Sequence, residues 1–351
     1  MSHEQRCPAC QQSFDGNASR FPPMTVEGMS VFVCGVCTCV CAEAASRRVD
    51  DHYRARVWGG PPRAEFYELD DGTIRPSDTE TKEARDEAKL QALRAALRVG
   101  NTLSASVLQV GCRTGDFLEG AQERFGGLGI TALEPWRPWR DAAAERGLSV
   151  VASTAEDFEG STYDIVVEFD LLDHFADPVA HLRALSDLVR PGGHLLLGVS
   201  NIAACAGLLH PHKLRLDAPI GFTRKALRRA CAAAGLSAAI WEDGASLFAV
   251  CERGNPIVQD AAPTEAAQLV LALRENDGRL LLKRVLAEHG PTDAVLRAAE
   301  AAVRGCRTAE GRRSLCEDVA RVCERGLRHD AAAQWFERGR MARRSASQDV
   351  A

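Results

Sequence analysis

Six of the 13 cysteines fall in the first 41 residues, and four of them form Cys7-Pro8-Ala9-Cys10 and Cys34-Gly35-Val36-Cys37. A C-x-x-C pair sets two thiolates on one ion through a tight turn. Two such pairs complete a closed four-sulfur shell, the structural type of zinc site. The competing reading is a set of free thiols. A 60-residue head also needs a staple of this kind. Cys39 and Cys41, spaced i, i+2, share one face of a strand. They read as buried apolar filler, with alternative ligands or a redox pair as the other uses.

A second stretch points to a bound small molecule. Residues 107–119, VLQVGCRTGDFLE, run from an apolar strand through a loop holding Gly111 and Gly115 into a helix. Glycines let backbone approach a ligand, and a helix N-terminus offers unpaired N–H groups. The G-x-G-x-x-G pattern of a nicotinamide site is absent. Glu134 ends the next strand, where a carboxylate accepts from both hydroxyls of a ribose. Ala155-Glu156-Asp157 follows the third strand, where an adenine edge is expected. Then come DLLDHFADP (170–178) and VRPGGHLLLGVS (189–200).

Taken in this order, these residues resemble the class I S-adenosylmethionine (SAM)-dependent methyltransferases over about residues 85–250. That family carries a glycine-rich loop after strand one, an acidic residue closing strand two, an E-H-x-x-D-P segment after strand four and an L-x-P-G-G turn. The resemblance implies that SAM is the cofactor. Its methionine part would lie on the Gly111–Gly115 loop with Gln109, its ribose on Glu134 and its adenine beside Ala155 and Glu156. Asp170 would stand near the transferred methyl group. Two residues depart from the pattern: Gln109 replaces an acidic residue, and Arg113 replaces the middle glycine of the loop. The Cys-rich head is similar to that of a subgroup of small-molecule C- and O-methyltransferases with an N-terminal zinc ribbon. Thr38-Cys39-Val40-Cys41 and Tyr53 stand where that subgroup has other residues after its last cysteine and a Tyr-rich segment.

A sulfonium methyl group needs little help to leave, so the protein's task is to align a nucleophile and remove its proton. His174 has the right intrinsic pKa for that base. It also fits a structural hydrogen bond at a helix cap. His210 and His212 follow strand five, where relatives build an acceptor pocket, and a solvated loop is the alternative reading.

The elements that would position these groups alternate. Strands are expected at 106–110, 129–133, 148–152, 163–169, 194–199, 237–241 and 246–251. Helices are expected at 79–98, 117–125, 137–146, 178–189 and 223–234, with Asp177-Pro178 as a turn and helix start. This is an α/β, Rossmann-like doubly wound sheet. From residue 263 the pattern becomes purely helical, with helices at 264–275, 279–289, 292–303, 309–325 and 331–343. Three parts follow: a zinc-ribbon-like head (1–60), a methyltransferase-like domain (79–255) and an α-helical C-terminal domain (263–344), joined by a polar connector at 59–78.

Net charge is −5, and residues 1–60 balance six basic against six acidic side chains, so a general grip on nucleic acid is not expected. No apolar run is long enough to span a membrane, and a cytoplasmic location with reduced thiols is expected. The leading reading is an enzyme methylating a small-molecule acceptor. A non-catalytic scaffold of the same fold is a second. A zinc-ribbon adaptor that binds nucleic acid or protein is a third, with the C-terminal helices as a further surface for a protein partner.

Overall fold

The computed structural model describes residues 6–13, 24–26, 29–42, 66–68, 74–76, 79–99, 104–204, 219–243, 245–254, 256, 265, 268–270, 273, 291–305 and 309–348. Tyr53, the segment with His210 and His212, most of the 59–78 connector and most of the helices expected at 264–275 and 279–289 lie outside these residues. The chain divides into two compact units. One comprises residues 1–63, 78–204 and 212–267; the other comprises 64–77, 205–211 and 268–351.

The first unit is built on a seven-stranded sheet. Its strands are β6 (Ser106–Val110), β7 (Gly129–Leu133), β8 (Val150–Val151), β9 (Tyr163–Phe169), β10 (Val189–Ser200), β12 (Leu236–Asp243) and β13 (Ser246–Arg253). They lie in the order β12-β13-β10-β9-β6-β7-β8. All neighbours are parallel except at β13, which is antiparallel to both β10 and β12. β9 is buried at six of its seven positions, as a strand covered on both faces requires. Alternation sorts its side chains. Ile165 and Val167 join Val107 under α1 (Thr79–Val99) and α2 (Asp116–Arg124), whose Leu93, Phe117 and Leu118 they meet. Val166 joins Leu108 and Val110 on the other face, under α4 (Pro178–Asp187) and α5 (Arg224–Ala233), with Leu182, Leu185 and Leu227. Each fully buried side chain of this size contributes roughly 1.5–3 kcal/mol.

Local signals set the helix ends. Asp177 caps α4 by accepting from the Ala180 N–H at 3.0 Å, with Pro178 in the first turn. α3 (Arg137–Glu145) lies between β7 and β8 in the chain. Three expectations shift. The expected strand at 148–152 contracts to Val150–Val151, and the helix expected at 178–189 stops at Asp187. Pro191-Gly192-Gly193 does not precede a strand; it forms a register shift inside β10, between Val189 and His194.

The head adds a small sheet, β1 (Met24–Val26), β2 (Met29–Val33) and β3 (Val40–Ala42), and it recruits β11 (Ile220–Gly221) from just before α5. Gly221 pairs with Val40, and a Cβ there would come within 2.9 Å of Ile202 and 3.2 Å of Val40. Only glycine permits that approach. Thr223 caps α5 by accepting from the Ala226 N–H at 3.1 Å, and its hydroxyl also meets that of Thr38 at 2.6 Å. The turn carrying Cys37 is thereby fastened to a helix cap of the main sheet.

Among the described residues, the second unit contains the antiparallel pair β4 (Phe66–Glu68) and β5 (Ile74–Pro76) and the helices α6 (Asp293–Gly305), α7 (Ala309–Arg325) and α8 (His329–Gln348). Its helices close on Ala299, Leu315, Val319, Cys323 and Trp335. Gly326 and Leu327, the latter at φ 58°, end α7, as the expected break there requires.

Replacing Thr223 by Val removes the α5 cap and should cost ~1 kcal/mol or more in urea unfolding. A double-mutant cycle with Thr38→Val should return a coupling of about 0.5–1.5 kcal/mol. A coupling of zero would mean that the hydroxyl pair does not join head to sheet.

Candidate functional site

β6 is flanked by β7 on one side and β9 on the other, so the chain leaves its neighbouring strands in opposite directions. The carboxyl ends of such strands form the binding crevice of an open parallel sheet. The loop after β6 is folded tightly there. The N–H groups of Gly111 and Cys112 both donate to the Leu133 carbonyl, at 2.9 and 3.2 Å, and Gly115 N–H donates to Cys112 at 2.9 Å. Gly111, Arg113 and Gly115 have φ of 69°, 54° and 84°. At Gly115 a Cβ would also lie 2.1 Å from Leu148, so glycine is required twice over. At Gly111 the space beside the backbone is taken by the Leu171 side chain.

Arg113 is a side-chain-bearing residue in the left-handed region, at a cost of roughly 1–2 kcal/mol. Two contacts offset this. Its N–H donates to Glu134 Oε2 at 2.9 Å, and its guanidinium lies 5.0 Å from the centre of the Trp139 ring. Glu134 Oε1 accepts from the Trp136 N–H, also at 2.9 Å. The carboxylate is buried, and burial pushes its pKa above the usual range against the opposing pull of the Trp136 and Arg113 N–H bonds. Each of its oxygens retains a lone pair for a further donor. Burial, then the charge of Glu134, pushes the Cys112 thiol up to about 12, so this thiol is unreactive.

Gln109 stands on β6 between Ala132 of β7 and Val167 of β9. It is 5% exposed, and its Oε1 has no hydrogen-bond partner among the described residues. A buried acceptor at the base of the crevice fits an N–H or ammonium donor from a ligand. Asp170, at φ 54° just beyond β9, pairs with Lys89 of α1 at 2.9 Å. His174 lies on the short 3-10 turn Leu172–His174 that follows, with Nε2 3.9 Å from Asp173 Oδ1. Gln109, Gly111, Gly115, Glu134 and Asp170 are thus all set at or just beyond the carboxyl ends of β6, β7 and β9.

Glu156 belongs to a network that the sequence reading missed. His181 of α4 is 2% exposed and lies between two carboxylates, Glu156 through Nδ1 at 2.5 Å and Glu168 of β9 through Nε2. Phe175 stacks on its ring at 3.5 Å. Burial alone would lower the pKa of His181. The charge of Glu168 and the hydrogen bonds to both carboxylates outweigh burial and raise it to about 9. Burial pushes Glu156 up, but His181 pulls it below the ordinary range. The second oxygen of Glu168 has no partner among the described residues. The network ties the loop after β8 to the central strand, beside buried Ala155. Its signal in the sequence is an acidic residue inside the apolar run of β9, which demands a buried partner.

In the head, the two C-x-x-C turns are built alike. Gln11 N–H donates to Cys7 and Thr38 N–H to Cys34, while Cys7 and Cys34 N–H groups donate to Gln12 and Cys39. Gln11 and Thr38 share a left-handed φ of 59° and 61°. The turns bring together Cys7, Cys10, Cys34 and Cys37, all four sulfurs within 4.8 Å of one another. Cys7 and Cys37 sulfurs are 3.6 Å apart, and those of Cys10 and Cys34 are 3.8 Å apart. Four sulfurs around one zinc at ~2.3 Å stand about 3.8 Å apart, so these thiols fit such an ion. Cys39 and Cys41 are buried beside them.

Residues 82–239 match the family model described as a methyltransferase domain. The ubiquinone biosynthesis O-methyltransferase of Vibrio parahaemolyticus is 36% identical over 104 residues, 27% of this chain and 43% of that protein. The protein of the same name from Cronobacter sakazakii is 32% identical over 123 residues, 32% of this chain and 50% of that one. The chain thus spans about half the length of the curated relatives it matches. Among solved structures, the magnesium protoporphyrin IX methyltransferase of Synechocystis is similar at a TM-score of 0.42 and 14% identity, over 60% of this chain and 97% of that one. An O-methyltransferase family protein from Burkholderia thailandensis has a TM-score of 0.38 at 18% identity, over 52% and 62%. The stretch matched to the methyltransferase domain model contains the whole crevice from Gln109 to His181.

The His181 network should make stability depend on pH. Its pKa rises on folding, so the contribution is complete below pH 6.5 and is lost as pH climbs through about 9. The amount is about 3 kcal/mol. Denaturant midpoints should fall across that window in the wild type. His181→Gln should start less stable and show a much flatter profile; equal slopes would remove the network as the cause.

Proposed function

We propose that the chain is a SAM-dependent methyltransferase acting on a small-molecule acceptor. The observation that carries this reading is the buried, unpartnered Oε1 of Gln109 at the strand crossover, in the same crevice as Glu134. When bound, SAM supplies a methyl group activated by its sulfonium. Gln109 would accept from the ammonium of its methionine part, and the Gly111–Gly115 loop would hold that part. Glu134 would accept from the ribose hydroxyls with its remaining lone pairs. Ala155 and Glu156 would border the adenine, with Glu156 held by His181. Arg113, drawn to Trp139, leaves the loop backbone to face the cofactor.

Asp170 and His174 would serve the acceptor, His174 removing its proton as the methyl group arrives and Asp170 orienting it. The O-methyl transfer named for the curated relatives extends to this chain as a proposal of a hydroxyl acceptor, which needs such a base. We further assign zinc to the four thiols of Cys7, Cys10, Cys34 and Cys37, as in the zinc-ribbon subgroup. The parts are a head at 1–60, the catalytic domain at 79–255 and a helical domain at 263–344 available to a protein partner. No described helix is long and apolar enough to cross a membrane. The reading sets the enzyme in the cytoplasm, where its thiols stay reduced.

Restoring a carboxylate at the strand end tests the cofactor assignment. Gln109→Asp should tighten SAM roughly ten- to a hundred-fold by a charge-assisted contact worth ~1.5–3 kcal/mol. Unchanged or weaker affinity would place the ammonium elsewhere. With an acceptor drawn from a panel of hydroxylated aromatics, His174→Ala should lower kcat by about 10²–10⁴ while leaving SAM affinity intact. Unaltered turnover would exclude it as the base.

A further inference from the structure

The four-thiol site does not exhaust the cysteines of the head. Cys39 and Cys41 lie on the same side of the strand that begins at Val40, with sulfurs 3.4 Å apart. Together with Cys7 they form a second group, all three sulfurs within 4.8 Å of one another. Cys7 and Cys39 are fully buried and Cys41 is 2% exposed. Filler residues need only fit a volume. These three converge, and one of them already belongs to the neighbouring site.

We propose that Cys7, Cys39 and Cys41 form a second metal site, for a soft three-coordinate d10 cation such as Cu(I), bridged to the zinc site through the Cys7 sulfur. The chemistry of the donors decides the class. All three are sulfur, and no His, Asp or Glu joins them among the described residues. Thiolate donors select soft cations such as Cu(I) and zinc. Zinc prefers a fourth donor, whereas Cu(I) is satisfied by the three buried thiols of this group. Three sulfurs at ~2.3 Å from one ion in a plane stand about 4 Å apart; here one pair stands at 3.4 Å and all three lie within 4.8 Å of one another. Binding is a ligand exchange and not a redox step. The ion enters as Cu(I), the thiols of Cys39 and Cys41 release their protons to solvent, and the Cys7 thiolate becomes shared.

This inference rests on the zinc reading only through the shared Cys7. The site adjoins Thr38, whose hydroxyl meets Thr223, so its occupancy would be felt at the β3–β11 junction.

The test uses the full chain, purified without oxygen, analysed for metals and titrated with Cu(I) as its acetonitrile complex. One zinc should be present at the outset, and one Cu(I) should bind with that zinc retained. Cys39→Ala/Cys41→Ala, which keeps an apolar pocket, should retain the zinc and lose the copper. Retained zinc also reports that this variant has folded; should it not, Cys41→Ser alone is the second variant, expected to keep zinc and weaken copper at least tenfold. Copper that enters only as zinc leaves would overturn the proposal. So would copper uptake unchanged in the variants, or a zinc-loaded chain that carries a Cys39–Cys41 disulfide and takes no copper. A chain without zinc would instead overturn the assignment of the four-thiol site.

Discussion

The carboxylate of Glu134 is the interaction on which the site depends. Its two oxygens accept the N–H groups of Arg113 and Trp136, one from the loop after β6 and one from the start of α3. Without it, two backbone donors would lose partners in a buried region, and the left-handed Arg113 would lose one of the two contacts that offset its strain. The same carboxylate retains acceptor capacity. A group that first serves the fold is thereby held in place for a ligand, and the ligand need not organise it.

A second fixed point is the His181 network. Glu168 and Glu156 are joined through His181, which spans from α4 to the central strand and to the loop after β8. A protonated histidine bonded to both carboxylates offsets the burial of Glu168, while Glu156 at its other side is exposed. The head contributes a third. β3 pairs with β11, and the Thr38–Thr223 hydroxyl contact seats the Cys37 turn on the cap of α5. The thiol cluster therefore sits within the compact unit that holds the sheet, and an ion held by it would stabilise the junction where β11 joins the head sheet to α5.

The sheet was legible because its signals are periodic and local. The apolar run of β9, the Asp177-Pro178 cap and the glycines at 111 and 115 each act within a few residues. The cysteine pairs were legible because their spacing is itself the constraint. The His181 network was not, since its members come from three elements and only the fold makes them neighbours. The pairing of Asp170 with Lys89 was hidden for the same reason. Arg113 could be read as a departure but not resolved, because the ring of Trp139 that draws its guanidinium aside comes from α3. Pro191-Gly192-Gly193 read as a stop, yet pairing with β9 on both sides of it keeps the strand continuous across a bulge.

Everything proposed for the crevice at the ends of β6, β7 and β9 requires that it accept SAM. Calorimetric titration of the full chain with SAM measures this without an acceptor. The structure leads us to expect saturable binding of one SAM per chain, abolished or greatly weakened by Glu134→Ala under conditions where that variant is folded. The absence of binding to the wild-type chain would contradict the account.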